Sequence, residues 1–176
     1  MKNKRVLSYV LAGIIFAAVL LLDLLTKGLI IPNKIPNVGD SMKVIPGFIN
    51  FIYIQNKGGA WGVLSKNTIF LTIMSVVIIA LFLTFYFLRV KRTGEKSSMW
   101  LSVSAGLITG GCLGNMIDRI IFGYVRDFIN LEFMDFPVFN FADIALTVGV
   151  ITMVIYFLFF YSKEEKDVKK EDKNEK

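Results

Sequence analysis

Four long segments of this chain contain no charged residue, and they constrain the fold more than any other feature. A helix needs about 20 apolar residues to cross the roughly 30 Å hydrocarbon core of a bilayer. Backbone amides cannot stay unpaired in lipid, so such segments must be helical. The sequence therefore predicts an all-α membrane protein with four transmembrane helices. They cover Val6–Leu22, Ile69–Leu88, Ser97–Ile117 and Ile144–Ser162.

The composition supports a membrane protein and excludes several kinds of chemistry. Of the 176 residues, 55% are hydrophobic and 19% are charged, which is more apolar than a soluble domain requires. The chain has no histidine and one cysteine, Cys112. These counts exclude Ser-His-Asp and Cys-His catalysis, a Cys/His zinc site and an intrachain disulfide. The net charge of +6 comes from basic residues that flank apolar segments, so we expect no nucleic-acid binding.

Basic residues near the ends of the predicted helices indicate the orientation. They precede the first helix, fill the short link between the second and third helices, and are frequent in the tail. All three regions fall on one side, so both termini should be cytoplasmic. The opposite side would hold two segments, at about 31–68 and 120–142. We expect one four-helix transmembrane domain over residues 1–162 and a disordered, charged tail over 163–176.

The first external segment contains a run that is typical of a β-strand. Phe48–Gln55 is rich in β-branched and aromatic residues and follows Pro46 and Gly47. The run is apolar for a loop. We therefore expect a small β-containing segment that lies at the membrane surface or covers a site.

Ionisable residues near the predicted external ends of the helices are candidates for function, because charge is costly in lipid. They come from separate parts of the chain but fall at similar depth in this topology. They are Asp23, Lys27, Asp118, Arg119, Arg126, Asp127 and Asp143.

Some of these residues have structural interpretations of equal weight. Asp23 and Lys27 are four residues apart, so they share a helix face and can form an ion pair. Asp118 and Arg119 are adjacent and point in different directions, and both structural and chemical roles stay open for them. Small residues at Gly106, Gly110 and Gly114 predict close helix packing, which would hold Asn115 and Asp118 in fixed positions.

Asp127 and Asp143 are the most plausible acid and base. The connector between them leaves and re-enters the same side, so the two carboxylates can meet. Two close carboxylates share one proton, and the ionised one can then remove a proton from water. From spacing alone, ordinary helix capping remains an alternative for this pair, and Asp118 is also eligible.

A series of short motifs follows in order from about residue 10 to 160. The motifs are Asp23–Lys27, Val44–Phe48, Asn56–Trp61, Gly110–Arg119, Gly123–Phe128 and Phe139–Asp143. Together they resemble those of the bacterial lipoprotein signal peptidase (signal peptidase II) family of intramembrane aspartyl peptidases. The resemblance implies that Asp127 and Asp143 are catalytic. It implies that other residues line or support the substrate pocket: Asn56, Asn115, Asp118, Arg119, Asn140, Ala142, Asp23 and Lys27.

The resemblance also implies a reaction and partners. The expected reaction is hydrolysis of the bond before the diacylglyceryl-modified cysteine of a prolipoprotein, by two aspartates and a water, with no metal or cofactor. We expect a monomer in the bacterial inner membrane, in contact with membrane lipid. Two alternatives rest on the same residues: a small transporter with an Asp proton relay, and a non-catalytic scaffold.

Overall fold

The structure is a computed structural model that describes residues 2–58, 67–93 and 99–174. Five α-helices, three strands and a short π-helical segment make up the described part. They are α1 (Lys2–Lys34), β1 (Ser41–Ile45), β2 (Ile49–Asn56), α2 (Thr68–Thr93), α3 (Met99–Phe122), β3 (Val125–Leu131), α4 (Phe141–Tyr156), the π-helical segment (Phe157–Tyr161) and α5 (Ser162–Asn174).

Four helices in the described ranges are long and apolar enough to cross a membrane, which confirms the predicted number. They are Arg5–Lys34, Thr68–Thr93, Met99–Phe122 and Phe141–Lys170. Each extends beyond the uncharged segment that predicted it. Charged residues such as Asp23 and Lys27 lie within the helix and are buried, so they do not end it.

Helix α3 lies at the centre of the bundle, between α1 and α4. A Cβ on Gly106 would lie 2.6 Å from Cβ of Ile15 in α1, and one on Gly111 would lie 2.5 Å from the carbonyl oxygen of Ala142 in α4. Only glycine allows backbones to approach this closely. The prediction of close packing at the glycines of this helix is therefore confirmed.

A three-stranded antiparallel sheet lies where α1 and α3 end and where α2 and α4 begin, which we call the sheet end of the bundle. The strand order is β1-β2-β3. The predicted strand corresponds to β2, whereas β1 and β3 had no prediction. The central strand aligns Ile54 with Asp127 and Asn56 with Val125 of β3. The part of the Asn56–Trp61 motif from Gly59 to Trp61 lies outside the described residues.

The described residues of the tail, for which the sequence predicts disorder, form helix α5 at the opposite end of the bundle, the tail end. Arg89 of α2 is 5% exposed and holds this helix. Its Nη1 atom lies 2.6 Å from Glu165 Oε2, and its Nε atom donates to Tyr156 Oη at 2.9 Å. The acidic residues that suggested a solvated tail instead neutralise a buried arginine.

Candidate active site

Four elements meet at a cavity of about 500 Å³ near the sheet end. Strand β2 contributes its last residue, α3 its final two turns, β3 its first residues and α4 its first two turns. The polar residues that line the cavity are Asn56, Asn115, Arg119, Asp127, Asp143 and Thr147. The structure therefore brings both predicted catalytic aspartates to one cavity.

Asp143 lies in the first turn of α4, where its backbone and side chain form a capping box with Asn140. The Asp143 amide donates to Asn140 Oδ1 at 3.0 Å, and Asp143 Oδ2 accepts from the Asn140 amide at 3.1 Å. This geometry satisfies backbone amides at the start of the helix. Asp143 Oδ1 accepts from Asn115 Nδ2 at 2.7 Å. Capping thus occupies one carboxylate oxygen, while the residue still lines the cavity.

Asp127 is held on β3 by two side-chain amides. Its Oδ1 atom accepts from Asn140 Nδ2 at 2.6 Å, and its Oδ2 atom accepts from Asn56 Nδ2 at 2.9 Å. The residue is 2% exposed. Because Asn140 donates to both aspartates, from its side chain and from its backbone, this one residue couples the positions of the two carboxylates.

The environment of Asp127 favours its protonated form. Burial raises the pKa of this carboxyl to about 7, and the negative charge of Asp143 contributes in the same direction. The amide hydrogen bonds from Asn56 and Asn140 oppose the rise in pKa, because they stabilise the ionised form. At neutral pH, Asp127 is therefore divided between its two protonation states.

A buried ion cluster lies behind the cavity, and Lys27 is its central member. Lys27 Nζ lies 2.8 Å from Asp23 Oδ2 and 3.2 Å from Asp118 Oδ2, with all three side chains fully buried. The predicted pairing of Asp23 with Lys27 is thus present. Lys27 Nζ also donates to Asn115 Oδ1 at 3.2 Å, which links the cluster to the cavity.

Asp118 joins the last turns of α3 to the start of β3 and does not line the cavity. Arg126 donates to Asp118 Oδ1 from Nη2 at 2.7 Å and from Nε at 3.1 Å. The Arg126 backbone amide donates to Asp118 Oδ2 at 2.9 Å. These bonds and the contact with Lys27 occupy both carboxylate oxygens, so the geometry favours the structural interpretation of Asp118.

Ala142 supports the site from behind. Its amide donates to Asp23 Oδ1 at 3.1 Å, and its side chain is completely buried. A Cβ on Gly114 would lie 3.3 Å from the Ala142 side chain. A small residue is needed here because α3 and α4 meet at this point.

Arg119 has a side chain available to a ligand. It lines the cavity, and its Nε atom is buried without a hydrogen-bond partner in the described part of the chain. A buried guanidinium donor without a partner is costly, so a group that accepts a hydrogen bond would stabilise it. The cavity is where such a group would enter.

Sequence reasoning did not identify the apolar wall of the cavity. Part of this wall lies on α4, where Ile144 and Val148 are one helical turn apart. That spacing was visible in the sequence and could have indicated the wall. The remaining apolar lining residues are Val125, Phe136, Pro137, Val138, Phe139 and Leu146.

Four spanning helices and a pair of carboxylates at one cavity define a polytopic membrane enzyme. The family model described as signal peptidase (SPase) II matches residues 15–159. The chain belongs to this signal peptidase II family, and it is therefore an aspartic peptidase of the bacterial membrane.

Relatives and solved structures agree with this membership. A lipoprotein signal peptidase of Staphylococcus haemolyticus is 39% identical over 153 residues, which cover 85% of this chain and 92% of the relative. One of Staphylococcus aureus is 41% identical over 155 residues, covering 86% and 90%. Two solved structures of a bacterial membrane enzyme, obtained by the in meso method, are each 36% identical to this chain. Their TM-scores are 0.72, covering 84% of this chain and 87% of the other, and 0.71, covering 85% and 93%.

Proposed function

We propose that Asp127 and Asp143 hydrolyse the peptide bond before the diacylglyceryl-modified cysteine of a prolipoprotein and so release its signal peptide. The observation that carries this proposal is the position of Asn140, which donates to Asp127 Oδ1 at 2.6 Å and to Asp143 Oδ2 at 3.1 Å. Both carboxylates line the same cavity of about 500 Å³. A shared cavity is what acid and base need in order to act on one bond.

Asp143 is the base in this proposal, and Asp127 is the acid. The carboxylate of Asp143 lies in the first turn of α4, where the helix dipole and the Asn140 amide stabilise negative charge. The pKa of Asp127 is raised to about 7 by burial and by the charge of Asp143, so this group can carry the shared proton. The two environments separate the roles of two chemically identical side chains.

The reaction follows from these protonation states. Ionised Asp143 removes a proton from water, and the hydroxide oxygen attacks the scissile carbonyl carbon, while Asp127 donates its proton to the carbonyl oxygen. When the tetrahedral intermediate collapses, the carbon–nitrogen bond breaks and Asp143 returns its proton to the amino group of the cysteine. Asp127 recovers its proton from the hydroxyl, so the pair ends as it began.

The rest of the cavity supports binding of the substrate backbone and its lipid. The unpartnered Nε of Arg119 can donate to a backbone carbonyl of the signal peptide. The apolar wall from Ile144 to Val148 faces the same space and suits an acyl chain that stays in the bilayer. A lipidated substrate carries both kinds of group close to its scissile bond.

The same proposal includes the arrangement in the membrane. We place both termini in the cytoplasm, since basic residues concentrate at the tail end of the bundle, and the aspartates on the outer side. Residues 1–162 then form one peptidase domain, and the protein acts as a monomer with no metal or cofactor, surrounded by membrane lipid.

The test compares purified wild type with Asp127→Asn and Asp143→Asn on a diacylglyceryl-modified prolipoprotein. We expect wild type to cleave before the modified cysteine and both variants to lose activity by at least about 1,000-fold, as for an acid or base that the step requires. Asp135→Asn is the matched control, because Asp135 is exposed in the loop between the two catalytic residues.

Circular dichroism and thermal unfolding establish that each variant is folded. A folded Asp127→Asn or Asp143→Asn variant with activity close to wild type would contradict the catalytic assignment. If Asp135→Asn also lost activity, the loss would reflect loop structure and not the acid–base pair.

A further inference from the structure

A second cavity, of about 640 Å³, lies between α1 and α2 over one face of α3. We call it the α1–α2 groove. All its lining residues belong to membrane-spanning segments, and none of them lines the cavity that holds the aspartates. Gly13 of α1 and Ala80 of α2 leave space between the helices, and Phe16 and Leu83 supply apolar walls.

The tail end of the groove is bounded by aromatic rings. The rings of Tyr9 and Phe87 have centroids 5.5 Å apart, and Tyr86 Oη donates to the carbonyl oxygen of Ser8 at 2.8 Å. These contacts bring α1 and α2 together there. A helix with side chains is about 10 Å wide, so a partner helix cannot fit between rings that are in contact. The apolar space of the groove suits a thinner, flexible occupant such as an acyl chain.

Two cationic residues lie one helical turn beyond these rings. Arg5 precedes Tyr9 by four residues and Gly13 by eight, so it lies on the face of α1 that borders the groove. Its Nε atom is buried and has no hydrogen-bond partner within the described residues. Lys91 follows Phe87 by four residues in α2 and is exposed. The apolar groove therefore ends beside positive charge.

We propose that the α1–α2 groove binds one anionic phospholipid. An acyl chain occupies the apolar space, and the phosphate accepts hydrogen bonds from Arg5 with Lys91 beside it. Because the groove lies within the membrane-spanning helices, the apolar molecules that can reach it are the lipids of the bilayer. The charge at its end selects an anionic headgroup, because cations at the membrane surface attract anionic lipids. This site is separate from the aspartates, so it stands whether or not they are catalytic.

Binding of defined lipids to delipidated, detergent-purified full-length protein tests the site. Native mass spectrometry with dioleoyl phosphatidylglycerol should find one lipid bound per chain. Dioleoyl phosphatidylcholine should bind more weakly. The Arg5→Gln variant should bind phosphatidylglycerol about fivefold more weakly, as expected for one cation near the headgroup, with no change for phosphatidylcholine. Lys163→Gln removes the same charge from the exposed surface of α5 and should have no effect.

A matched pair of glycine variants tests the groove itself. A Cβ on Gly13 or on Gly28 would have no atom within 4 Å, so both positions of α1 accept a side chain. Only Gly13 lines the groove. Gly13→Leu should therefore reduce binding of phosphatidylglycerol at least tenfold, whereas Gly28→Leu should match wild type.

Several results would overturn the lipid site. One is the absence of a one-to-one complex with phosphatidylglycerol in wild type. Another is equal weakening by Arg5→Gln and Lys163→Gln, which would indicate general attraction to charge. Equal binding by the Gly13→Leu and Gly28→Leu variants would show that the lipid lies elsewhere.

Discussion

The ammonium of Lys27 donates a hydrogen bond to Asn115 Oδ1 across 3.2 Å. Lysine has donors only, so Asn115 must turn its oxygen to Lys27 and its NH₂ group in another direction. That NH₂ group lies 2.7 Å from Asp143 Oδ1. A cation in α1 thus determines which group faces the carboxylate in α4.

Replacement of Lys27 by methionine should destabilise the protein and reduce peptidase activity. The substitution leaves the carboxylates of Asp23 and Asp118 buried without the cation that lies 2.8 and 3.2 Å from them. Breaking a buried ion pair costs about 3–5 kcal/mol of unfolding free energy. Chemical unfolding in detergent measures this loss, and Lys34→Met, on the exposed end of the same helix, is the control.

The double variant Asp23→Asn with Lys27→Met distinguishes the effect of unpaired charge from the effect of lost packing. Removing one carboxylate charge along with the lysine should recover part of the lost stability, so the effects should not add. If the double variant were as unstable as the sum of the single variants, loss of packing and not unpaired charge would explain the Lys27 effect.

The stability of the protein should depend on pH through Asp127. Its pKa in the folded protein is about 7, raised by burial and by Asp143, against an ordinary value of 3.8. A raised folded-state pKa contributes stability that is complete below pH ~4 and lost as the pH rises through about 7. We therefore expect Asp127→Asn to be more stable than wild type above pH 7, by at most on the order of 4 kcal/mol. Unfolding from pH 4 to 8 measures this difference, and parallel curves for the two proteins would contradict it.

Asn56→Ala should shift the pH profile of peptidase activity. Asn56 Nδ2 donates to Asp127 Oδ2 at 2.9 Å, and this bond stabilises the ionised carboxylate. Its loss raises the pKa of Asp127, so the alkaline limb of the kcat profile should move to higher pH. Asn50→Ala is the control, because Asn50 pairs with Asn130 in the same sheet and not with an aspartate. A profile with an unmoved alkaline limb would argue against Asp127 as the acid.

Local patterns in the sequence predicted the helices and the ion pair of the site. Asp23 and Lys27 meet because helical spacing alone places them on one face, and glycines four residues apart indicated where α3 is packed closely. These inferences need no knowledge of distant residues. They were correct for that reason.

The contacts that couple the aspartates depend on distant parts of the chain. Asn140 reaches Asp127 because the preceding residue, Phe139, pairs with Ile129 of β3, and strand pairing of this kind leaves a weak local signal. The two interpretations of Asp143 also proved compatible, since one residue caps α4 and lines the cavity. For α5, charge patterning indicated disorder because the partner of its glutamates, Arg89, lies in another helix.

Gly114→Ala should destabilise the site through Asp23. The new Cβ would lie 2.6 Å from Asp23 Oδ2, and Lys27 and the Ala142 amide hold this carboxylate in place. Overpacking of this kind costs about 1–3 kcal/mol, and activity should fall with it. Gly28→Ala is the control, because its Cβ meets no atom within 4 Å and alanine favours a helix by up to about 1 kcal/mol. Thermal unfolding compares them, and a Gly114→Ala variant as stable as Gly28→Ala would show that α1 and α3 can separate at no cost.

Arg89→Met should release α5 from the bundle and leave peptidase activity close to wild type. Arg89 is the buried donor that joins α2 to Tyr156 and Glu165, and it lies at the end of α4 opposite Asp143. Without it, the backbone amides of α5 should exchange hydrogen faster, and trypsin should cleave sooner after Lys166. Arg92→Met removes only an ion pair whose arginine side chain is 52% exposed, worth about 0–1 kcal/mol, so it should leave α5 protected. Equal exchange in both variants would mean that packing of the helix, and not Arg89, holds α5 in place.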